Sequence, residues 1–213
     1  MSRPEQAEQA ERPKRTYQDE IRRVASRWVA GLERTSITPD ALTISGVGLC
    51  IAGAVAVYLE YLSDWLFILG GALFVIGSVL DILDGALARR SGKGTPFGAF
   101  LDSTVDRVGE GFMLAAIGLV LMRDGSVWGV ALTFAAMGGS FLVSYTRARA
   151  EAMGLKGDVG FGSRAERVVV ISVGLAFAPF GSLPYVVAVL TATAWLTVLQ
   201  RILYVRKQLA GRD

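Results

Sequence analysis

Six apolar stretches dominate the chain, at about 40–61, 65–88, 98–122, 126–147, 165–180 and 184–205, with short polar breaks between them. Crossing a hydrocarbon core of ~30 Å takes about 20 helical residues. All but the fifth stretch reach that length; the fifth is expected to start below the interface or to pack on its neighbours. Lipid offers no partners for backbone N–H and C=O groups, so each stretch is read as a helix. Composition agrees: 52% of residues are apolar and only 19% are charged, against roughly 25% charged in soluble chains. The expected fold is all-α and integral to a membrane, with six transmembrane helices.

Residues 1–16 are polar and read as a mobile tail; no apolar core follows the first basic residues, as a secretory signal would require. In 17–35, Ile21, Val24, Ala25, Trp28, Val29 and Leu32 recur on one helical face while Arg22, Arg23, Arg27 and Arg34 take the others. This suits an amphipathic helix lying in the membrane interface; the alternative is a helix packed on the protein's own body. Residues 36–213 form the six-helix membrane domain. Thr38, Pro39 and Asp40 look like an N-cap, a first helical proline and an acid at the positive dipole end. Ser163 and Glu166 fit a capping box opening the fifth helix.

Every lysine and arginine except Arg123 falls on one side of this topology. By the positive-inside rule that side is cytoplasmic, as are both termini. The chain would then be a multi-pass protein of the cell membrane. The formal net charge is only +3, so no nucleic-acid partner is indicated. With no histidine and a single cysteine, Cys50, imidazole bases, thiolate zinc clusters and internal disulfides are excluded.

Against this background the acids at the cytoplasmic end of helices two and three stand out. Asp81, Asp84, Gly85 and Ala88 are spaced to share one face of the second helix, and Gly98, Asp102 and Asp106 share one face of the third. A short loop from Ser91 to Pro96 joins the two, so they are expected to be antiparallel neighbours with converging carboxylates. One carboxylate in a membrane costs about 2.5–3.5 kcal/mol on insertion scales, and four together repel. A divalent cation between them resolves the conflict, and hard oxygen ligands select Mg²⁺, Mn²⁺ or Ca²⁺. Structural salt bridges to Arg89, Arg90 and Arg107 are the plain alternative, but they explain neither the shared face nor the interleaved small residues. A cation-translocating protein is another, though translocation paths usually place charge nearer the midplane.

The pattern D-x-x-D-G-x-x-A-R, eight residues, then G-x-x-x-D-x-x-x-D is read on Asp81, Asp84, Gly85, Ala88, Arg89, Gly98, Asp102 and Asp106 without departure. It resembles the signature of the CDP-alcohol phosphatidyltransferase family. The resemblance covers the chain from about residue 17 onward and implies an enzyme that moves a phosphatidyl group from a CDP-linked lipid to an alcohol, releasing CMP. It further implies that Asp81, Asp84, Asp102 and Asp106 hold one or two Mg²⁺ or Mn²⁺ ions. Asp106 would be the general base. Thr38, Pro39, Asp40 and Thr43, with Asp81, Asp84, Gly85, Ala88, Arg89, Gly98 and Asp102, would hold the CDP part of CDP-diacylglycerol. Asp40 stands where many relatives have Asn. A homodimer is implied as well. Glu110 continues the spacing of Asp102 and Asp106 and is expected to stand behind the metal ligands.

The cations crowding one rim suggest that the acceptor alcohol carries a phosphate. Arg164 and Arg167, on the first turn of a capped helix, make an anion site; Arg147 and Arg149 are two apart and point to different sides. The stretch from Ser144 to Arg167 is similar to the bacterial phosphatidylinositol phosphate synthases, whose acceptor is inositol 1-phosphate. That similarity implies an acceptor-phosphate pocket of Ser144, Arg147, Arg149, Arg167 and Arg201, to which the capped helix adds Arg164. Glycerol 3-phosphate, the acceptor of phosphatidylglycerophosphate synthases, is the competing acceptor. No Cys or Ser is poised for a covalent route, so direct attack is expected.

Overall fold

A computed structural model describes residues 38–92, 94–157, 159–160 and 163–211. The tail expected at 1–16, the interfacial helix expected at 17–35, and the basic residues Lys93 and Arg212 lie outside the described residues. Within them run α1 (Pro39–Tyr58), α2 (Trp65–Ser91), α3 (Pro96–Arg123), α4 (Val127–Ala152), α5 (Arg164–Ala176) and α6 (Leu183–Ala210), with 3₁₀ turns at Glu60–Leu62 and Ala178–Phe180. By length and composition, α1, α2, α4 and α6 are able to cross a membrane. The 28-residue α3 is long enough, but its first 15 residues carry Asp102, Asp106, Arg107 and Glu110. The 13 residues of α5 rise only about 20 Å, so the fifth apolar stretch is shorter as a helix than as a composition.

The helix starts are made by local side chains. Thr38 accepts a hydrogen bond from the Ala41 amide at 3.2 Å, with Pro39 in the first turn. Thr95 accepts from the Gly98 amide at 2.9 Å. Ser163 and Glu166 form the expected reciprocal capping box.

Two glycine pairs bring α1 onto α2. A Cβ on Gly53 would stand 2.7 Å from the Gly70 carbonyl oxygen, and one on Gly46 would stand 2.9 Å from that of Gly77. Lipid gives helices no hydrophobic reason to associate, so close backbone approach of this kind supplies the contact. The consequence reaches the polar end, where Thr43 on α1 meets Asp84 on α2. The other half of the bundle is built on α4 and α6. Gly139 lets Ala194 close in. The Trp195 ring N–H donates to the Ala135 carbonyl at 3.0 Å, and Thr191 to that of Leu132 at 2.9 Å.

One expectation changes in the structure. Although a short loop joins them, α2 and α3 touch only slightly; each packs chiefly on α1. Their polar ends meet through facing acids, around which the site is built. The apolar core, with Val57, Phe74, Met113, Ile117, Ile171, Leu175 and Val187 fully buried, links α1, α2, α3, α5 and α6. Many other large apolar side chains, such as Ile44, Leu69, Ile76 and Phe134, stay exposed, as a lipid-facing surface requires. At the end opposite the aspartates, Trp65, Trp128, Phe180 and Tyr185 are also exposed, which suits a membrane-interface belt. Arg123, alone among the described cations at that end, pairs with Glu60 at 3.0 Å and lies 4.9 Å from the ring centroids of Tyr58 and Tyr61.

Candidate active site

The last turns of α2 and the first turns of α3 carry the acids. Asp81, Asp102 and Asp106 each offer a carboxylate oxygen within 4.8 Å of the others. Asp84, one turn further along α2, is buried and accepts a hydrogen bond from the Thr43 hydroxyl. Its other oxygen, and Oδ1 of Asp102, are buried without a hydrogen-bond partner among the described residues. From α5, the Arg164 guanidinium reaches Asp81 and lies 2.7 Å from Asp106.

Two cavities flank the carboxylates. The first, of about 450 Å³, lies among the start of α1, the end of α2 and the start of α3. Pro39, Asp40, Thr43, Asp84, Gly85, Ala88, Arg89, Gly98 and Asp102, all expected to contact a nucleotide, line it. Thr38 instead caps α1, and Asp81 faces the other acids. Small residues keep this wall open. A Cβ on Gly85 would stand 3.4 Å from Arg89 Nη1, and one on Gly98 would stand 3.4 Å from Asp40 Oδ1.

The second cavity, of about 290 Å³, is lined by Asp106, Arg107 and Glu110 of α3, Val143, Ser144 and Arg147 of α4, Gly160, Ser163, Arg164 and Arg167, and Arg201 of α6. The expected acceptor residues Ser144, Arg147, Arg164, Arg167 and Arg201 are therefore together. Arg149 is exposed and is not among the described residues lining it. A wider hollow of about 920 Å³ opens between α3 and α4, past Asp102, Asp106, Phe141 and Tyr145.

The arginines of the second cavity are held differently. Arg167 and Glu110 are both buried and make a bidentate pair, at 2.7 Å from Nε to Oε1 and 2.8 Å from Nη2 to Oε2, and the Ser140 hydroxyl donates to Glu110 at 2.7 Å. Glu110 thus stands behind an arginine rather than behind the metal ligands, with Ser140 as a partner that the spacing of the acids does not indicate. Its one signal was a hydroxyl one helical turn before Ser144; nothing along the chain says that α3 faces it. Arg201 donates to the carbonyls of Val159, at 2.9 Å, and Val143, so it also ties the loop after α4 to α6.

The family model for CDP-alcohol phosphatidyltransferase matches residues 36–200. The chain belongs to that family. It is a phospholipid-biosynthetic transferase and a multi-pass membrane protein. It is 39% identical over 182 residues to the phosphatidylinositol phosphate synthase of Mycolicibacterium smegmatis, covering 81% of this chain and 79% of that one. It is 38% identical over 181 residues to the archaetidylinositol phosphate synthase of Pyrococcus horikoshii, covering 84% and 88%. Its fold matches the phosphatidylinositol phosphate synthase of Mycobacterium tuberculosis solved with CDP-DAG bound, with a TM-score of 0.73, 33% identity, and coverage of 86% of this chain and 94% of that one. The same enzyme has been solved with manganese and citrate; there the TM-score is 0.73, the identity 32% and the coverage 85% and 88%.

Transferases of this family carry an acidic signature, and the residues here fit a divalent ion. The donors are hard carboxylate oxygens, three acids converge within one ion's reach, and two buried carboxylate oxygens lack a hydrogen-bond partner among the described residues.

Proposed function

We propose that this phosphatidyltransferase joins the phosphatidyl group of CDP-diacylglycerol to the hydroxyl of inositol 1-phosphate, giving phosphatidylinositol phosphate and CMP. The carrying observation is positional: Asp102 lines the first cavity, Asp106 lines the second, and the two acids belong to one cluster. A nucleotide-sized space and a cation-lined space thus share a wall of carboxylates. The names of the two relatives and the ligand of the M. tuberculosis structure support this choice of donor and acceptor.

In this reading Asp81, Asp84, Asp102 and Asp106 hold Mg²⁺ or Mn²⁺, one or two ions, which supply positive charge for the pyrophosphate oxygens as CMP departs. Arg89 adds a fixed fork at the nucleotide side. Arg147, Arg164, Arg167 and Arg201, with Ser144, hold the acceptor's phosphate. Asp106 takes the proton of the acceptor hydroxyl. The hydroxyl oxygen bonds to the lipid-side phosphorus, the bridging P–O bond breaks, and its electron pair leaves with CMP. The diacylglycerol tails stay in lipid. The same reading gives six membrane helices, an interfacial helix at 17–35, the active site and both termini on the cytoplasmic side of the cell membrane, and a homodimer.

Measuring CMP release from CDP-diacylglycerol, with Mg²⁺ or Mn²⁺ and either inositol 1-phosphate or glycerol 3-phosphate, tests the proposal. Release with inositol 1-phosphate is expected. Release with glycerol 3-phosphate alone would move the chain to phosphatidylglycerophosphate synthesis. Silence with every phosphorylated polyol would return the acids to a cation-translocating role.

A further inference from the structure

Three carboxylates within 4.8 Å of one another repel strongly in a site shielded from water. Within the chain itself, Arg164 brings the opposing charge to those acids. Its Nη1 atom lies between the Asp81 carboxylate of α2 and the Asp106 carboxylate of α3, pairing with both. This is the space a cation bridging the two helices would take. A divalent ion needs those oxygens at about 2.0–2.6 Å, which leaves no room for a guanidinium bonded to the same atoms.

The two arginines on the first turn of α5 differ in freedom to move. The Arg167 side chain is 7% exposed and locked in a fork on Glu110, whereas that of Arg164 is 26% exposed. The capping box fixes the backbone under both. Arg164 also lines the second cavity beside Arg147, Arg167 and Arg201, so a guanidinium displaced from the acids has a second place on the same rotatable stem.

We infer that Arg164 is the resident counter-cation of the metal site. It holds the acids together in the metal-free chain, a divalent ion displaces it, and the displaced guanidinium completes the acceptor cavity. The inference rests on the reading that the aspartates bind a divalent ion. It adds that metal binding and acceptor binding are coupled through one side chain, each tightening the other by the same factor.

The test uses the full chain in detergent, stripped with a chelator and titrated with Mn²⁺ while the spin-resonance signal of free Mn²⁺ is followed. Arg164→Gln should bind Mn²⁺ about tenfold tighter than wild type, because the competitor is gone. Arg164→Lys should fall between, since an ammonium cannot fork across two carboxylates. In chelator, Arg164→Gln should melt several degrees below wild type, and saturating Mn²⁺ should close the gap. Inositol 1-phosphate should tighten Mn²⁺ binding in wild type and do so much less in Arg164→Gln. Mn²⁺ affinities in both variants equal to or weaker than wild type would overturn the inference, as would coupling kept in full by Arg164→Gln. Should Arg164→Gln fail to fold without metal, Arg164→Lys alone carries the affinity comparison. An Asp81→Asn control separates the two levels. If wild type shows no saturable, Asp81-dependent Mn²⁺ binding, the metal reading falls and takes this inference with it. If that binding is present and Arg164 does not alter it, only the inference falls.

Discussion

Arg164 and Arg167 sit on the same turn of α5, and their surroundings are opposite. Among the described residues, Arg167 and Glu110 make a bidentate pair that Ser140 joins. Arg164 faces a surplus: Asp81 and Asp106 directly, with Asp102 beside them. In the first region two opposite charges fork on each other and burial is nearly complete, so the pair behaves as scaffold. In the second, acids outnumber the cation that answers them. Such an imbalance is costly to keep in a folded chain and is tolerated where a ligand will correct it.

The sharpest way to break this comparison is to remove the acid that both pairs with Arg164 and lines the acceptor cavity. Asp106→Asn should lower CMP release by about a thousandfold or more, the scale of a lost general base, while CDP-diacylglycerol still binds. Normal turnover in that variant would remove Asp106 from the chemistry. Next comes the scaffold pair. Glu110→Ala takes the forked carboxylate away from a buried Arg167, and breaking a buried pair costs about 3–5 kcal/mol; thermal melting in detergent should show a large drop with or without Mn²⁺. Asp102→Asn should do the reverse in chelator. It relieves like-charge repulsion without breaking an ion pair found among the described residues, and should raise stability by about 0.5–2 kcal/mol, the range typical of relaxing a strained site. The same variant should bind Mn²⁺ weakly. Equal destabilisation by the Glu110 and Asp102 changes would erase the distinction between scaffold and site.

Much of this could be read along the chain, because it depends on neighbours a few residues apart. The caps at Thr38 and Ser163 are bonds between a side chain and its own first turn. The acidic faces of α2 and α3 follow from helical spacing alone, and most residues assigned to the nucleotide and acceptor pockets do line the two cavities. What could not be read depends on contacts between distant segments. The loop from Ser91 to Pro96 suggests that α2 packs on α3, yet the glycine pairs Gly46 with Gly77 and Gly53 with Gly70 draw α2 onto α1, and α2 and α3 meet only slightly. Glu110 kept the spacing of the metal-facing acids, but its partner comes from α5. Arg164 groups with the acceptor cations by its place on the first turn of a capped helix; that its guanidinium turns toward two other helices is set by where α5 docks.

The smallest expected effect separates two arginines that the chain spaces by two. Arg147 lines the acceptor cavity and pairs with Glu151 at 2.9 Å, whereas Arg149 is exposed and is not among the described lining residues. Both are solvent-accessible, so neither should matter much to folding, and the salt bridge to Glu151 is of the exposed i,i+4 kind worth a few tenths of a kcal/mol. Their difference should therefore appear in binding. Arg147→Ala should raise the KM for inositol 1-phosphate by about tenfold with the KM for CDP-diacylglycerol nearly unchanged, the signature of lost acceptor contact. Arg149→Ala should leave both within about twofold, as expected of a surface cation that only favours this side of the membrane. A reversed order would mean that the acceptor's phosphate lies on the other side of α4, outside the cavity that Arg164 and Arg167 share.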